Sequence, residues 1–405
     1  MRNENEEQRD VPMSEAIQLH GARIVEPGVA LGPPTIVALE GDRIAAIGEG
    51  AGVTGGHAVD LNGLWLAPGL MDLQVNGAAG HDVTDDASSI WAVGEAIAAT
   101  GVTAFLPTII SAPEGRIDEA VRIVAAGPPA GYRGATVLGL HLEGPFLSPQ
   151  RYGAHDPTHL RMPDAAFAAG WSREAGVAIV TIAPELPGAL DLISELAARG
   201  VVVSIGHSNA TVDEARAGIE AGASYSTHLF NAMPPLDHRA PGIAAAVLAD
   251  ARVTVGMIPD TIHVHRTVLD LAYRIAGPER FSIVTDAMAA LGMPHGTFRL
   301  GARDVTVDET GCRLPGGLLA GSNLRLDGGV QNLAAATGRG IEMAVAAATT
   351  VPARLLGLTD RGSIATGARA DITVVTPEFE AAGTIVDGRF VWAGPVLEPQ
   401  MAAWA

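Results

Sequence analysis

The strongest constraint on the fold is a succession of eight β-rich runs in the middle of the chain. Most of them are separated by Ala-rich stretches of helical character, which is the pattern of repeated βα units that close a parallel barrel. A closed barrel of this kind has eight strands and about 250 residues. The sequence therefore predicts an α/β protein with a (β/α)8 TIM barrel. The runs are 69–76, 103–109, 136–144, 177–184, 201–208, 224–230, 253–260 and 281–287.

Both ends of the chain show a different pattern, in which apolar and polar residues alternate between Gly and Pro. This alternation in 17–66 and 362–393 is typical of short antiparallel strands. We expect the two segments to form one small β-sandwich domain, with the barrel inserted between them. The predicted domains are a disordered tail at 1–16, the sandwich at 17–66 and 362–405, and the catalytic barrel at 67–361.

The charge of the chain argues against two classes of partner. Its formal net charge is −19, whereas nucleic acid and anionic lipid attract clustered basic residues. We therefore expect no nucleic-acid partner and no membrane partner. The N-terminal segment lacks the apolar core of a signal peptide, and no run of about eighteen apolar residues occurs. The sequence predicts a soluble cytoplasmic protein.

All 26 basic residues are Arg, and Lys is absent. This absence excludes a Schiff-base lysine, a P-loop lysine and the carboxylated lysine that bridges two metals in some hydrolases. The single cysteine, Cys312, has no partner for a disulfide within the chain, and we expect no chemical role for it.

Chemically competent side chains end nearly every one of the eight runs. The carboxyl ends of barrel strands open onto one face, so residues that are distant in sequence converge there. Glu143, His207 and His228 supply one carboxylate and two imidazoles, a set that suits a catalytic zinc with an open position for water. Asp286 ends the eighth run, where it would act as a general base. The alternative for Asp286 is a capping or turn aspartate.

Three further residues lie in loops that would surround this face. His155 follows the third run and His263 follows the seventh, so both would reach a polar substrate; the alternative is that they are solvated. Arg239 lies in a Pro-rich loop after the sixth run. Its planar guanidinium suits phosphate recognition, although an exposed arginine without a ligand is the commoner outcome.

A series of short segments resembles the N-acetylglucosamine-6-phosphate deacetylases of the amidohydrolase superfamily, in the same order and from about residue 17 to 395. The resemblance implies metal-dependent hydrolysis of N-acetylglucosamine 6-phosphate to glucosamine 6-phosphate and acetate. The segments are PGLMDLQVNG, GLHLEGPF, YGAHDP, IGHSNAT, THLFNAMPP, HRAPG, IHV, VTDAM and LAGSNL.

The resemblance also implies a role for each matching residue. Glu143, His207 and His228 fall where the family binds one divalent metal, with Zn²⁺ expected first and Fe²⁺, Mn²⁺ or Co²⁺ as alternatives. Asp286 matches the acid/base, and His155 matches a histidine that polarises the acetamide carbonyl. A homodimer is implied, in which Arg239 acts across the interface. The residues matching substrate contacts are His155, Asn231, Ala232, Arg239 and His263.

Gln74 and Asn76 stand where a larger group of amidohydrolases carries two histidines. Amides are poor metal ligands, so these residues would mark a vestigial second-metal position and leave one metal per chain. Two alternatives stay open at this point. One is an amidohydrolase acting on another N-acyl amino sugar or a cyclic amide, and the other is a non-catalytic barrel that serves as a scaffold.

Overall fold

The computed structural model describes residues 16–52 and 56–402. The predicted N-terminal tail, except for residue 16, lies outside the described residues. In chain order the strands are β1 (Ile17–Ile24), β2 (Thr35–Glu40), β3 (Arg43–Ile47), β4 (His57–Asp60), β5 (Trp65–Pro68), β6 (Leu70–Val75), β7 (Gly77–Ala78), β8 (His81–Asp82), β9 (Val102–Ile110), β10 (Thr136–Val137), β11 (Leu140–Glu143), β12 (Val177–Ile182), β13 (Val202–Ile205), β14 (Tyr225–Ser226), β15 (Thr254–Met257), β16 (Phe281–Ile283), β17 (Gly296–Leu300), β18 (Arg303–Asp308), β19 (Gly311–Arg313), β20 (Ile372–Val375), β21 (Ala381–Val386) and β22 (Arg389–Ala393).

The helices lie mainly between the strands of the central part. In chain order they are α1 (Ile90–Ile97), α2 (Glu114–Ala126), α3 (Ala189–Ala198), α4 (Val212–Glu220), α5 (Gly242–Ala249), α6 (Arg266–Ala276), α7 (Leu326–Thr337), α8 (Ile341–Ala344), α9 (Thr350–Leu355) and α10 (Glu398–Ala402).

Eight parallel strands form the barrel, in the order β6, β9, β11, β12, β13, β14, β15 and β16. Two backbone hydrogen bonds join the segment after β16 to β6: Asp286 donates to the carbonyl of Gln74 at 3.0 Å, and Asn76 donates to the carbonyl of Ala287 at 2.7 Å. The predicted (β/α)8 barrel is confirmed.

Burial explains why these segments form a parallel barrel. All nine residues of β9 are buried, as expected for a strand that is covered on both faces and therefore apolar throughout. The surrounding helices are amphipathic. In α6 the buried residues Leu269, Ala272, Tyr273 and Ala276 recur at helical spacing and face the strands.

Two details of the barrel differ from the predicted pattern. The third run, 136–144, is divided into β10 and β11, because the chain adopts a positive φ of 122° at Gly139 between them. Within the described residues, the connection from β11 to β12 contains only the short 3-10 helix Pro157–His159. The third βα unit therefore has a long loop in place of an α-helix, and this loop contains His155.

The strands from both chain ends form one sheet, in the order β22, β21, β20, β5, β1, β2 and β3, with β4 also paired to β1. Leu19, Leu66 and Ile372 belong to the one apolar cluster at its core. The predicted small β-sandwich domain from both chain ends is confirmed as a separate unit of sheet, but β1 pairs with β4 and with β5 in parallel rather than antiparallel fashion. The domain limits remain a prediction.

After the last barrel strand, a Gly-rich segment at 288–325 contains a three-stranded antiparallel sheet of β17, β18 and β19. Its apolar side packs with Ile110 and Met288 at the mouth of the barrel. Across 16–52 and 56–402, no helix has the length and apolar character needed to cross a membrane.

Candidate active site

Three predicted metal ligands converge at the carboxyl ends of barrel strands. Glu143 is the last residue of β11, and His207 and His228 lie two residues beyond β13 and β14. Oε1 of Glu143 lies 2.9 Å from Nε2 of His228 and 3.3 Å from Nε2 of His207. The two Nε2 atoms are 3.0 Å apart. Only 3–4% of the surface of each residue is exposed, so the cluster is almost completely buried.

The donor atoms of this cluster fit a divalent cation. Nδ1 of His207 lies 3.0 Å from the carbonyl oxygen of Arg151, which can only accept, so the ring proton is on Nδ1 and Nε2 presents its lone pair. A tetrahedral site with ligand distances near 2.0 Å has edges of about 3.3 Å, close to the separations here. Burial, followed by the nearby His155, lowers the pKa of His207 to about 4. The ring is therefore neutral, as a ligand has to be.

The carboxylate of Glu143 is ionised and held in place from several sides. Its burial opposes ionisation, but the neighbouring imidazoles of His155, His207 and His228 hold the pKa of Glu143 well below its usual range. Gln74 donates from Nε2 to Oε1 of Glu143 at 3.0 Å. The hydroxyl of Thr227 in turn donates to Oε1 of Gln74, which fixes the orientation of that amide.

Asp286 lies in the same pocket, three residues after β16. Nδ2 of Asn76 donates to Oδ1 of Asp286 at 2.6 Å. Burial, and then the negative charge of Glu143, raise the pKa of Asp286 to about 6. A carboxyl group that titrates near neutrality can both take up and release a proton, which is what a general acid/base requires.

Backbone strain is concentrated at these strand ends. His207, His228 and Asp286 have φ angles of 48°, 23° and 51°, in the left-handed region that non-glycine residues rarely adopt. Each such residue costs on the order of 1–3 kcal/mol, and strain of this kind clusters at functional sites. Each of these residues lies two or three positions beyond the end of its strand, where the backbone changes direction. The packing of the surrounding barrel has to compensate for the conformational strain.

His155 reaches the cluster from the loop after β11 and is 2% exposed. The backbone N–H of Ser111 donates to Nδ1 of His155 at 3.1 Å. The neutral ring therefore carries its proton on Nε2, which lies 3.6 Å from Oε2 of Glu143. This tautomer can donate a hydrogen bond to an oxygen atom in the pocket.

A pocket of about 350 Å³ contains these groups and most of the predicted substrate contacts. Asn231, Ala232 and His263 line it, whereas Arg239 does not line the pocket of its own chain and lies on an exposed loop. A larger cleft, of about 860 Å³, opens elsewhere, between the segment 127–137, which includes β10, and β22. We assign the candidate active site to the smaller pocket, because the buried carboxylates and histidines line it.

His263 is oriented by a neighbouring carboxylate. Its Nδ1 lies 2.6 Å from Oδ2 of Asp260, while Oδ1 of Asp260 accepts the backbone N–H groups of Ile262 and His263. Hydrogen bonds from His263 outweigh burial and lower the pKa of Asp260. Among the described residues, Nε2 of His263 has no hydrogen-bond partner, and Asp260 fixes the position of the ring.

Several contributors are visible only in three dimensions. Ser111 and Thr227 set the orientations of His155 and Gln74, and neither stands out from other Ser and Thr residues in the sequence. Arg313 and the segment 317–321 form one wall of the pocket. Residues 319–321 of this wall belong to the segment LAGSNL, which resembles the deacetylase family. The sequence thus marked this segment, but it did not indicate that the segment lines the pocket.

Comparison with protein families places this site in a known context. The model of the amidohydrolase family matches residues 65–391. The chain is 39% identical over 351 residues to N-acetylglucosamine-6-phosphate deacetylase from Homo sapiens, covering 82% of this chain and 85% of the relative. It is 35% identical over 350 residues to the enzyme of that name from Lysinibacillus sphaericus, covering 86% and 90%.

Solved structures agree with this similarity. N-acetyl-D-glucosamine-6-phosphate deacetylase from Mycobacterium smegmatis, solved as a variant in complex with N-acetyl-D-glucosamine-6-phosphate, is 35% identical with a TM-score of 0.85, over 93% of this chain and 99% of that one. The Pasteurella multocida deacetylase of the same name is 30% identical with a TM-score of 0.86, over 94% and 100%. Beta-aspartyl dipeptidase from Fervidobacterium islandicum, at 16% identity and a TM-score of 0.61 over 94% and 98%, shares the fold alone.

Proposed function

We propose that this chain, which belongs to the N-acetylglucosamine-6-phosphate deacetylases of the amidohydrolase family, hydrolyses N-acetylglucosamine 6-phosphate to glucosamine 6-phosphate and acetate. The observation that carries the proposal is a buried cluster of Glu143, His207 and His228 in one pocket with Asp286. That arrangement provides a cation site beside a proton carrier. The non-catalytic scaffold is disfavoured, because strained and buried ionisable groups are costly to keep without a use.

Glu143, His207 and His228 would hold one divalent cation, with Zn²⁺ expected first for a set of two imidazoles and one carboxylate. When bound there, such a cation lowers the pKa of water and polarises a carbonyl group. Gln74 and Asn76 make hydrogen bonds to the two carboxylates, and amides bind metals poorly. We therefore propose one metal per chain.

Asp286 carries out the proton transfers of the proposed reaction, and His155 stabilises the carbonyl oxygen. Asp286 accepts a proton from the water that attacks the acetyl carbon. As the carbon–nitrogen bond breaks, Asp286 returns that proton to the sugar nitrogen. Nε2–H of His155 donates to the carbonyl oxygen, whose negative charge grows during the attack. The products are the free amine and acetic acid, which loses its proton to solvent to give acetate, and no covalent intermediate is required.

Phosphate recognition is assigned to Arg239 together with His263. Arg239 lies outside the pocket of its own chain, on the exposed loop after β14, so we propose a homodimer in which Arg239 of one chain reaches the other's substrate. Asn231 and Ala232 line the pocket and would contact the sugar. The cytoplasmic location and the absence of a nucleic-acid partner remain predictions.

The direct test is acetate release from N-acetylglucosamine 6-phosphate by the purified protein, before and after treatment with a chelator. We expect turnover that the chelator abolishes and that added Zn²⁺ restores. Competition with unphosphorylated N-acetylglucosamine and with a cyclic amide distinguishes the substrate alternatives. If either competitor had the higher kcat/KM, that compound, and not the phosphorylated sugar, would be the preferred substrate.

A further inference from the structure

Asn76 is a buried residue of the active-site pocket that uses only one of its two side-chain polar atoms in a hydrogen bond. It lines the pocket immediately after β6 and is 1% exposed. Its Nδ2 donates to Oδ1 of Asp286 at 2.6 Å, but its own Oδ1 has no hydrogen-bond partner among the described residues. A buried amide oxygen without a donor is costly. This atom therefore needs a partner that the protein itself does not provide.

The orientation of the Asn76 amide follows from the charge of its neighbour. An ionised carboxylate only accepts hydrogen bonds, so the nitrogen, and not the oxygen, has to face Asp286. Backbone hydrogen bonds from Asn76 to Ala287 and from Asp286 to Gln74 tie the two strand ends together beside this contact. The side-chain pair is thus held between two fixed backbones.

Within the described residues, Oδ2 of Asp286 receives no hydrogen bond that competes with proton uptake, whereas Oδ1 is occupied by Asn76. A proton taken up by Asp286 would therefore go to Oδ2. The hydrogen bond from Asn76 persists in both protonation states, because a protonated carboxyl group keeps an accepting oxygen.

We propose that Asn76 positions Asp286 so that Oδ2 carries the proton, and that Oδ1 of Asn76 accepts the N–H of the substrate acetamide. The inference rests on the proposed deacetylase function. The N–H held by Asn76 stays on the nitrogen, and the second amine hydrogen comes from Asp286. With its N–H directed at Asn76, the nitrogen presents its lone pair to Oδ2 once the acetyl carbon becomes tetrahedral.

The assignment gives the two amides of β6 separate tasks. Gln74 contacts the proposed ligand Glu143, and Asn76 contacts the proposed acid/base Asp286. If both were remnants of a second-metal position, replacing either would have the same small effect. The proposal instead requires different defects: Gln74→Ala should weaken metal retention, and Asn76→Ala should lower kcat at unchanged metal content.

The decisive variants are Asn76→Ala, which removes the amide, and the nearly isosteric Asn76→Asp, which keeps the shape but removes the donor. For both we expect kcat to fall by about 10–100-fold, the usual cost of losing a side chain that orients a group of a metal site, while one metal per chain is retained. Asn76→Asp should also move the acidic limb of the pH profile upward by more than about one unit, since two carboxyl groups at hydrogen-bonding distance do not readily ionise together. The other groups facing Asp286 are Glu143, His228, His263 and Asp72, and neither variant changes them.

Infrared titration of the Asp286 carboxyl group, assigned by subtracting the spectrum of Asp286→Asn, provides a readout that does not depend on turnover. The hydrogen bond from Asn76 lowers the pKa of Asp286, so this pKa should rise in Asn76→Ala. If the wild-type protein released no acetate, the proposed deacetylase function would be wrong. The infrared titration would still show whether Asn76 controls the pKa of Asp286, because it does not depend on turnover. Unchanged kcat in Asn76→Asp, or an unchanged carboxyl pKa in Asn76→Ala, would overturn the inference.

Discussion

Gln74 donates a hydrogen bond to the same oxygen of Glu143 that lies 2.9 Å from Nε2 of His228. A side chain predicted as the remnant of a second metal site thus holds a proposed ligand of the first. Partners of this kind fix ligand orientation, and their loss typically costs about 10–100-fold in metal affinity or activity.

Replacing Gln74 with Ala should therefore weaken metal binding by about 10–100-fold, because the carboxylate of Glu143 loses its donor. Competition with a chelating dye measures this affinity directly. Thr227→Val is a matched companion that leaves Gln74 in place but removes the hydroxyl that orients it, so a smaller loss is expected. Wild-type affinity in Gln74→Ala would show that this hydrogen bond does not support the metal.

Each chain should retain one divalent metal after exhaustive dialysis in metal-free buffer. Within the described residues, Glu143, His207 and His228 are the one group of three or more potential ligand residues found close enough to share an ion. Elemental analysis should give about one metal per chain, and Glu143→Ala should fall well below that value. Two metals per chain, both required for activity, would contradict the single-metal proposal while leaving the proposed reaction intact.

Replacing Asp286 with Asn should leave the fold and the metal content unchanged and lower kcat by about 10²–10⁴-fold, since the amide cannot accept the proton. Circular dichroism and elemental analysis of the same sample serve as controls. A variant that kept more than about a tenth of kcat would remove Asp286 from the acid/base role.

The activity should decline in acid because Asp286 has to be ionised before it can accept a proton. Burial raises the pKa of Asp286 to about 6, and a bound cation would stabilise the carboxylate and move the limb lower. We therefore expect kcat to be level above about pH 6 and to fall by about tenfold per pH unit below the limb. Measurement of kcat between pH 4 and pH 8 tests this, with metal content checked at each pH. A rise in kcat on acidification would be inconsistent with the role.

Replacing Arg239 with Ala should raise KM for the phosphorylated sugar and leave the unphosphorylated sugar little affected, because the guanidinium would contact the phosphate alone. Arg239 lies on an exposed loop and makes no ion pair among the described residues, so the fold should tolerate the change. Mixing Arg239→Ala chains with Asp286→Asn chains tests the dimer, since the mixed dimer then contains one site with both wild-type residues. Equal losses on both sugars would exclude phosphate recognition by Arg239.

The sequence by itself determined the architecture, because the alternation of apolar runs and helical stretches is a local pattern with a period that can be counted. Glu143, His207, His228 and Asp286 could be named for a related reason. In a parallel barrel the strand ends share one face, so position along a run implies position in the molecule.

Tertiary structure alone decided what each of these side chains contacts. The pairing of Gln74 with Glu143, of Asn76 with Asp286 and of Ser111 with His155 joins residues 69, 210 and 44 positions apart. Such pairs depend on strand register, on the left-handed turns after the strands and on rotamers fixed by packing, none of which leaves a periodic trace in the sequence. Amide side chains that sequence alone describes as missing ligands therefore acquire their role only when the barrel closes around them.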